Sequence, residues 1–168
     1  MNRLTELALL FLNALAAAHS AFYYRLMPDR MAVHFGLAGA PDGWSSRSQF
    51  FGLSALFLVL NLLIFLVMPA VLTRYRVVKI NVPRASYWLS EENIERFYVL
   101  FCSRMGLFGA ANVVLGITVL QLVFAANLRP SKTLDNGTFL VSLIAYFVFV
   151  IIWLFTLFRR LVSEGRGS

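Results

Sequence analysis

The chain has 168 residues, of which 60% are hydrophobic and 14% charged, and its net charge is +7. Soluble domains average about 45–50% apolar and about 25% charged residues, and a small domain leaves much of its surface in water. That excludes a soluble globular protein. The excess Lys and Arg flank the apolar runs, as topology-setting charges do, which argues against nucleic acid as a partner.

In chain order, four runs lack charged residues: Leu7–Tyr24, Ser48–Thr73, Met105–Leu128 and Asn136–Phe158. A helix needs about 20 apolar residues to cross a bilayer core, and lipid offers the backbone no hydrogen bonds, so each run is predicted to be a transmembrane helix. The fold class is therefore an all-α integral membrane protein with four transmembrane helices, residues 1–168 forming one membrane domain. The first run begins like a signal peptide, but Glu6 interrupts it and Tyr23, Tyr24 and Arg25 close it like an interfacial anchor. His19 within it is assigned to packing.

Residues 25–47 form an outward loop. "MAVHF" reads as a short extended run, with Met31, Val33 and Phe35 on one side and Ala32 and His34 on the other; Pro28 stands at its start. "GAPDGW" carries Pro41, Asp42 and Gly43 in the order of a type I turn, so a small β-hairpin is expected, with Trp44 at the membrane interface. Ser46 and Gln49 make a capping box that opens the second span. His34 and Asp42 fall on the hairpin's polar side, and two ligands are too few for a tight metal site. Arg25 and Arg47 flank the loop and favour an anionic or amphipathic ligand.

Residues 74–104 are read as a cytoplasmic connection. Pro83 holds an extended stretch, and Ser90 is a candidate N-cap followed by Glu91 and Glu92. Ile94, Phe97, Tyr98 and Phe101 then follow helical spacing, as an extension of the third span or as a separate interfacial helix; the interfacial helix is favoured. In the third span Gly109, Asn112 and Gly116 share a face suited to close helix packing, and Glu6, Asn13, Ala17 and Tyr24 on the first span offer a partner face. Asn13, Asn61, Asn112 and Gln121 are polar but uncharged, so no span supplies the central charge a transporter usually needs. "DNG" at 135–137 reads as a turn.

Orientation follows from Lys and Arg. An arrangement with both termini cytoplasmic places ten of the 15 inside, including Arg3, Lys79, Arg159 and Arg166.

The loop residues Pro28, His34, Phe35, Gly39, Pro41, Asp42, Gly43, Trp44, Ser46 and Arg47 resemble the signature of the bacterial membrane proteins grouped as domain of unknown function 1648. A second block is similar too: Asn81, Pro83, Tyr87, Trp88 and Leu89 match, whereas Arg84 stands where relatives often carry Asn. The resemblance implies a multi-pass protein of the bacterial inner membrane. Its better-understood relatives are longer immunity proteins that protect a bacterium from a secreted killing peptide.

The chain has two histidines and none of the motifs H-E-x-x-H, G-x-S-x-G or a phosphate-binding glycine loop. No catalytic residue, cofactor or metal is expected. The expected function is that of a non-enzymatic sensing, immunity or accessory protein, embedded in the lipid bilayer and meeting a peptide or protein partner through the outward loop. The alternative is a small transporter or channel subunit acting as an oligomer.

Overall fold

The computed structural model describes residues 3–76 and 82–164. Lys79, Asn81 and Arg166 lie outside the described residues. Among the described residues four helices are long and apolar enough to cross a membrane: Arg3–Tyr24, Arg47–Arg74, Ile94–Leu128 and Asn136–Ser163, the first to fourth spans. Each contains one of the expected charge-free runs. Between the first two lie strands β1 (Arg30–Phe35) and β2 (Pro41–Ser46), paired antiparallel, so the fold is an all-α membrane bundle with one small hairpin.

The second span is not a uniform α-helix. Leu63–Val67 form a wider π turn, in which the Met68 amide donates to the Leu63 carbonyl. The cause lies just beyond it. Pro69 has no N–H to donate, and in an α-helix its ring would crowd the carbonyl four residues back; the wider turn relieves both problems.

The third span is continuous over 35 residues, about 52 Å at 1.5 Å per residue, and so exceeds a hydrocarbon core of roughly 30 Å. Ile94, Phe97, Tyr98 and Phe101, expected in a separate interfacial helix, instead form the first turns of this helix. Their apolar face is covered by protein. Phe97, Tyr98 and Leu100 are buried with Trp88, from a short helix at Ala85–Trp88, and with Leu161 of the fourth span. The Trp88 indole donates to the Leu161 carbonyl at 2.9 Å. Asn93, not Ser90, precedes the helix, because the Ser90 hydroxyl is turned back onto the Tyr87 carbonyl.

The first three spans pack on one another. Asn13 Nδ2 donates to Asn61 Oδ1 at 3.3 Å and Asn61 Nδ2 donates to the Gly109 carbonyl at 3.2 Å, linking all three. Such bonds within membranes average about 0.6 kcal/mol each, so side-chain packing is the larger contribution. The nearest neighbours of the two glycines are on the second span, not on the first span that the sequence suggests. A Cβ at Gly109 would lie 2.5 Å from Phe65 Cβ and one at Gly116 would lie 3.0 Å from Phe57 Cε1, both on the second span. The first span instead meets the third through aromatic and polar side chains: Tyr23 stacks on Phe124 at 4.6 Å, and His19 Nε2 lies 2.8 Å from Gln121 Oε1.

Asn112 turns the other way, accepting the Tyr146 hydroxyl of the fourth span. Phe108 lies against Trp153, whose indole donates to the Arg104 carbonyl at 3.1 Å. The fourth span is nonetheless the least buried of the four. Among its described residues only Leu161 is buried, and Phe147, Ile151, Phe155 and Phe158 are left exposed for lipid. The "DNG" segment begins this helix and is not a turn. Asp135 caps it by accepting the Thr138 amide at 3.0 Å and the Thr138 hydroxyl at 2.8 Å, and these bonds hold its carboxyl below the usual range.

Candidate recognition site

The hairpin departs from a plain ladder at two points. The pairs run Arg30–Ser46, Met31–Ser45, Ala32–Trp44, His34–Gly43 and Phe35–Pro41. Val33 is thus an extra residue on β1 and Asp42 an extra residue on β2. Two bulges so close together re-aim the side chains between them. As expected along "MAVHF", Met31, Val33 and Phe35 pack on one side and His34 is exposed on the other; Ala32 departs from the pattern, being fully buried.

His34 Nδ1 and Asp42 Oδ1 are brought into direct contact across the hairpin, on its exposed side. Gly43 makes this possible, because a Cβ there would lie 2.7 Å from His34 Cβ. Among the described residues no group of three or more His, Cys, Asp or Glu side chains is placed to hold a metal ion.

The Pro-Asp-Gly turn expected at 41–43 is not where the chain reverses. Pro41 opens β2, where a missing N–H does not interrupt the ladder, and the connection is Gly36 to Ala40. There the Gly39 amide donates to the Gly36 carbonyl at 2.8 Å and the Gly36 amide donates to Ala40 at 2.9 Å. Gly39 has φ +77°, and a Cβ on it would lie 2.6 Å from the Leu134 carbonyl. Backbone conformation and crowding both demand glycine.

Two anchors hold the hairpin to the spans. Its tip is tied to the connection before the fourth span: the Leu134 amide donates to the Gly39 carbonyl at 2.9 Å, and Asn136 Nδ2 donates to the Leu37 carbonyl at 2.6 Å. Its middle is clasped by Asn127 of the third span. Asn127 Oδ1 accepts the Ala32 amide and Asn127 Nδ2 donates to the Ala32 carbonyl, both at 2.8 Å, so one side chain pairs with β1 as a neighbouring strand would. Asn127 also donates to the Val123 carbonyl at 2.9 Å and is buried. Below the clasp, Met27, Met31 and Phe35 pack on Phe124, which is itself stacked on Tyr23 and Phe51.

The flanking residues are more occupied than the sequence suggests. The expected capping box of Ser46 and Gln49 is present. Arg47 is not a free approach for an anionic ligand: it pairs with Asp29 at 2.8 Å, donates to the Met27 carbonyl at 2.9 Å and lies over the Tyr24 ring. It thereby joins the end of the first span to the start of the second, with Pro28 in the tight passage between them. Arg25 remains exposed. Trp44 is half-exposed, with Arg30 5.4 Å and Lys132 5.8 Å from its ring centroid.

Beneath the hairpin two grooves flank the third span. One, of about 600 Å³, lies toward the second span and is lined by Val33, Phe50, Leu53, Phe57, Gly116 and Asn112. The other, of about 530 Å³, lies toward the fourth span under His34, Phe35 and Leu37. Val33, Val119 and Val123 border both. The loop residues singled out in the sequence are therefore brought together, and Asn112 and Gly116 line the adjoining groove. Asn127 and Asn136 were missed. An amide near the end of an otherwise apolar run is the one signal that could have found Asn127.

No curated protein and no solved structure matches the chain. A protein-family model described as Domain of unknown function (DUF1648) matches residues 11–58, which hold the hairpin and most of the helical residues that lead into and out of it. The second block, ending at Tyr87, Trp88 and Leu89, lies outside the matched residues and packs at the opposite end of the bundle. Bulged hairpin, helical flanks and matched residues coincide: residues 11–58 of this chain are similar to the domain of unknown function 1648.

Proposed function

We propose that this is a non-enzymatic protein of the bacterial inner membrane that recognises an amphipathic peptide or protein segment with the hairpin and the two grooves beneath it. The observation that supports this reading most directly is the double anchoring of the hairpin, by Asn127 at its middle and by Leu134 and Asn136 at its tip. A linker needs no such restraint, whereas a surface held in one shape loses less entropy when a partner binds. Apolar grooves beside a rim with His34, Asp42 and the cation-flanked Trp44 suit a partner with one greasy and one polar face.

Photocrosslinking in cells tests this. A photoreactive residue at Leu37, which is fully exposed at the tip, should yield a discrete protein adduct, and the same residue at Ile151 on the lipid-facing fourth span should not. Asn127→Ala should abolish the Leu37 adduct. If no adduct forms, and amides from Val33 to Trp44 exchange with solvent as fast as an unstructured peptide, the reading fails.

Both termini are proposed to be cytoplasmic, with the hairpin outside, from the distribution of Lys and Arg. In a Cys102→Ser background, a Ser131→Cys variant should react with a membrane-impermeant thiol reagent in intact cells. A Ser163→Cys variant should react only after lysis. The reverse pattern would invert the orientation.

A further inference from the structure

At the end of the bundle opposite the hairpin, the first, third and fourth spans border a groove of about 660 Å³. Arg96, Arg104 and Arg160 line it, together with Glu95 and the apolar side chains of Val99 and Leu107. The carboxylates near these arginines are already engaged. Glu95 pairs with Arg76 at 3.4 Å, and Glu164 is shared between Arg160 at 2.8 Å and Arg96 at 3.2 Å. Arg104 donates to the neutral Thr156 hydroxyl at 3.0 Å. Three guanidinium groups thus face one concavity beside Glu95, which is paired with Arg76, and they share Glu164 between two of them, an arrangement that a further anion would relieve.

The groove's position narrows the choice of anion. Arg104 directly precedes the apolar run Met105–Leu128, at the level where head groups give way to hydrocarbon. On the hydrocarbon side Leu107 is exposed, as is Val114 two turns farther along the same face. The guanidinium fork suits the paired oxygens of a phosphodiester, and the apolar stripe suits a chain attached to it. We propose that this groove binds an anionic phospholipid, its phosphate held by Arg96, Arg104 and Arg160 and one acyl chain laid along Leu107 and Val114. The site shares no residue with the hairpin, so it stands or falls apart from the recognition role.

The full chain purified in uncharged detergent provides the test, with phosphatidylglycerol, phosphatidylcholine and inorganic phosphate as separate probes. Phosphatidylglycerol should raise the thermal aggregation midpoint and remain bound in native mass spectrometry; the other two should do neither. Arg104→Gln with Arg160→Gln should weaken phosphatidylglycerol retention by roughly thirtyfold, since each cation near a membrane surface contributes about 1 kcal/mol. Arg129→Gln, near the hairpin, should leave retention unchanged. If the double variant does not fold, Arg104→Lys, which keeps the charge but loses the fork, should still reduce retention severalfold. Equal retention of phosphatidylcholine, equal stabilisation by inorganic phosphate, or undiminished retention in the folded variants would each overturn the proposal.

Discussion

Replacing Asn127 with alanine should release the hairpin from the third span and destabilise the protein by about 2–4 kcal/mol, the consequence of leaving two buried backbone groups without partners. Both groups belong to Ala32, which is itself fully buried, so water cannot replace the lost amide without opening the packing around Met31 and Phe124. Amide exchange at Ala32 should accelerate well beyond that in the body of the third span. Asn127→Asp should be intermediate or worse, because it keeps an acceptor for the Ala32 amide but sets a carboxylate against the Ala32 carbonyl. Hydrogen exchange and denaturation in detergent decide the matter. Ala32 protection in Asn127→Ala equal to that of the parent would show that the clasp does not hold the hairpin.

Gly109→Ala should be the most damaging small substitution within the spans, costing about 1–3 kcal/mol as overpacked sites do. The added Cβ would lie 2.5 Å from Phe65 Cβ and 2.8 Å from Phe65 Cγ, atoms close to the backbone that cannot swing aside. The second and third spans would have to part, which also strains the bond from Asn61 to the Gly109 carbonyl. Gly116→Ala should be much milder, because its nearest neighbour is the far end of the Phe57 ring, at 3.0 Å. Phe65→Gly, which removes the Cβ that alanine would keep, should rescue Gly109→Ala in a double-mutant cycle but leave Gly116→Ala unchanged. Equal thermal stability of the two alanine variants in detergent would refute this packing.

The spans were readable from the sequence because bilayer thickness and the lack of hydrogen-bonding solvent leave a charge-free run almost no alternative. The hairpin was readable in outline, since β-extended residues around turn-forming ones carry a local signal. Its turn was misplaced because Pro41, Asp42 and Gly43 serve in β2, where Gly43 yields space to His34; that need arises only once the strands are paired. The partner of the glycine face was likewise hidden. Helical spacing shows which residues share a face, but only the assembled bundle shows that Phe57 and Phe65 fill it. Phe97, Tyr98 and Leu100 could have met a membrane surface or a protein core, and Trp88 and Leu161 decided for the core. Asn127 gave least warning, since its partner is backbone 95 residues away.

The unbroken third span gives the molecule a lever. Asn127 grips the hairpin near one end of a single helix, while Arg96 and the Trp88 cluster sit near the other. Transmembrane helices commonly tilt by about 20° from the bilayer normal, so they have room to rock. Rocking a rod of about 52 Å by about 10° around its middle swings its two tips by roughly 4–5 Å in opposite directions. A contact that drags the hairpin sideways would therefore appear on the far side of the bilayer as a counter-stroke of similar size, transmitted by stiffness alone.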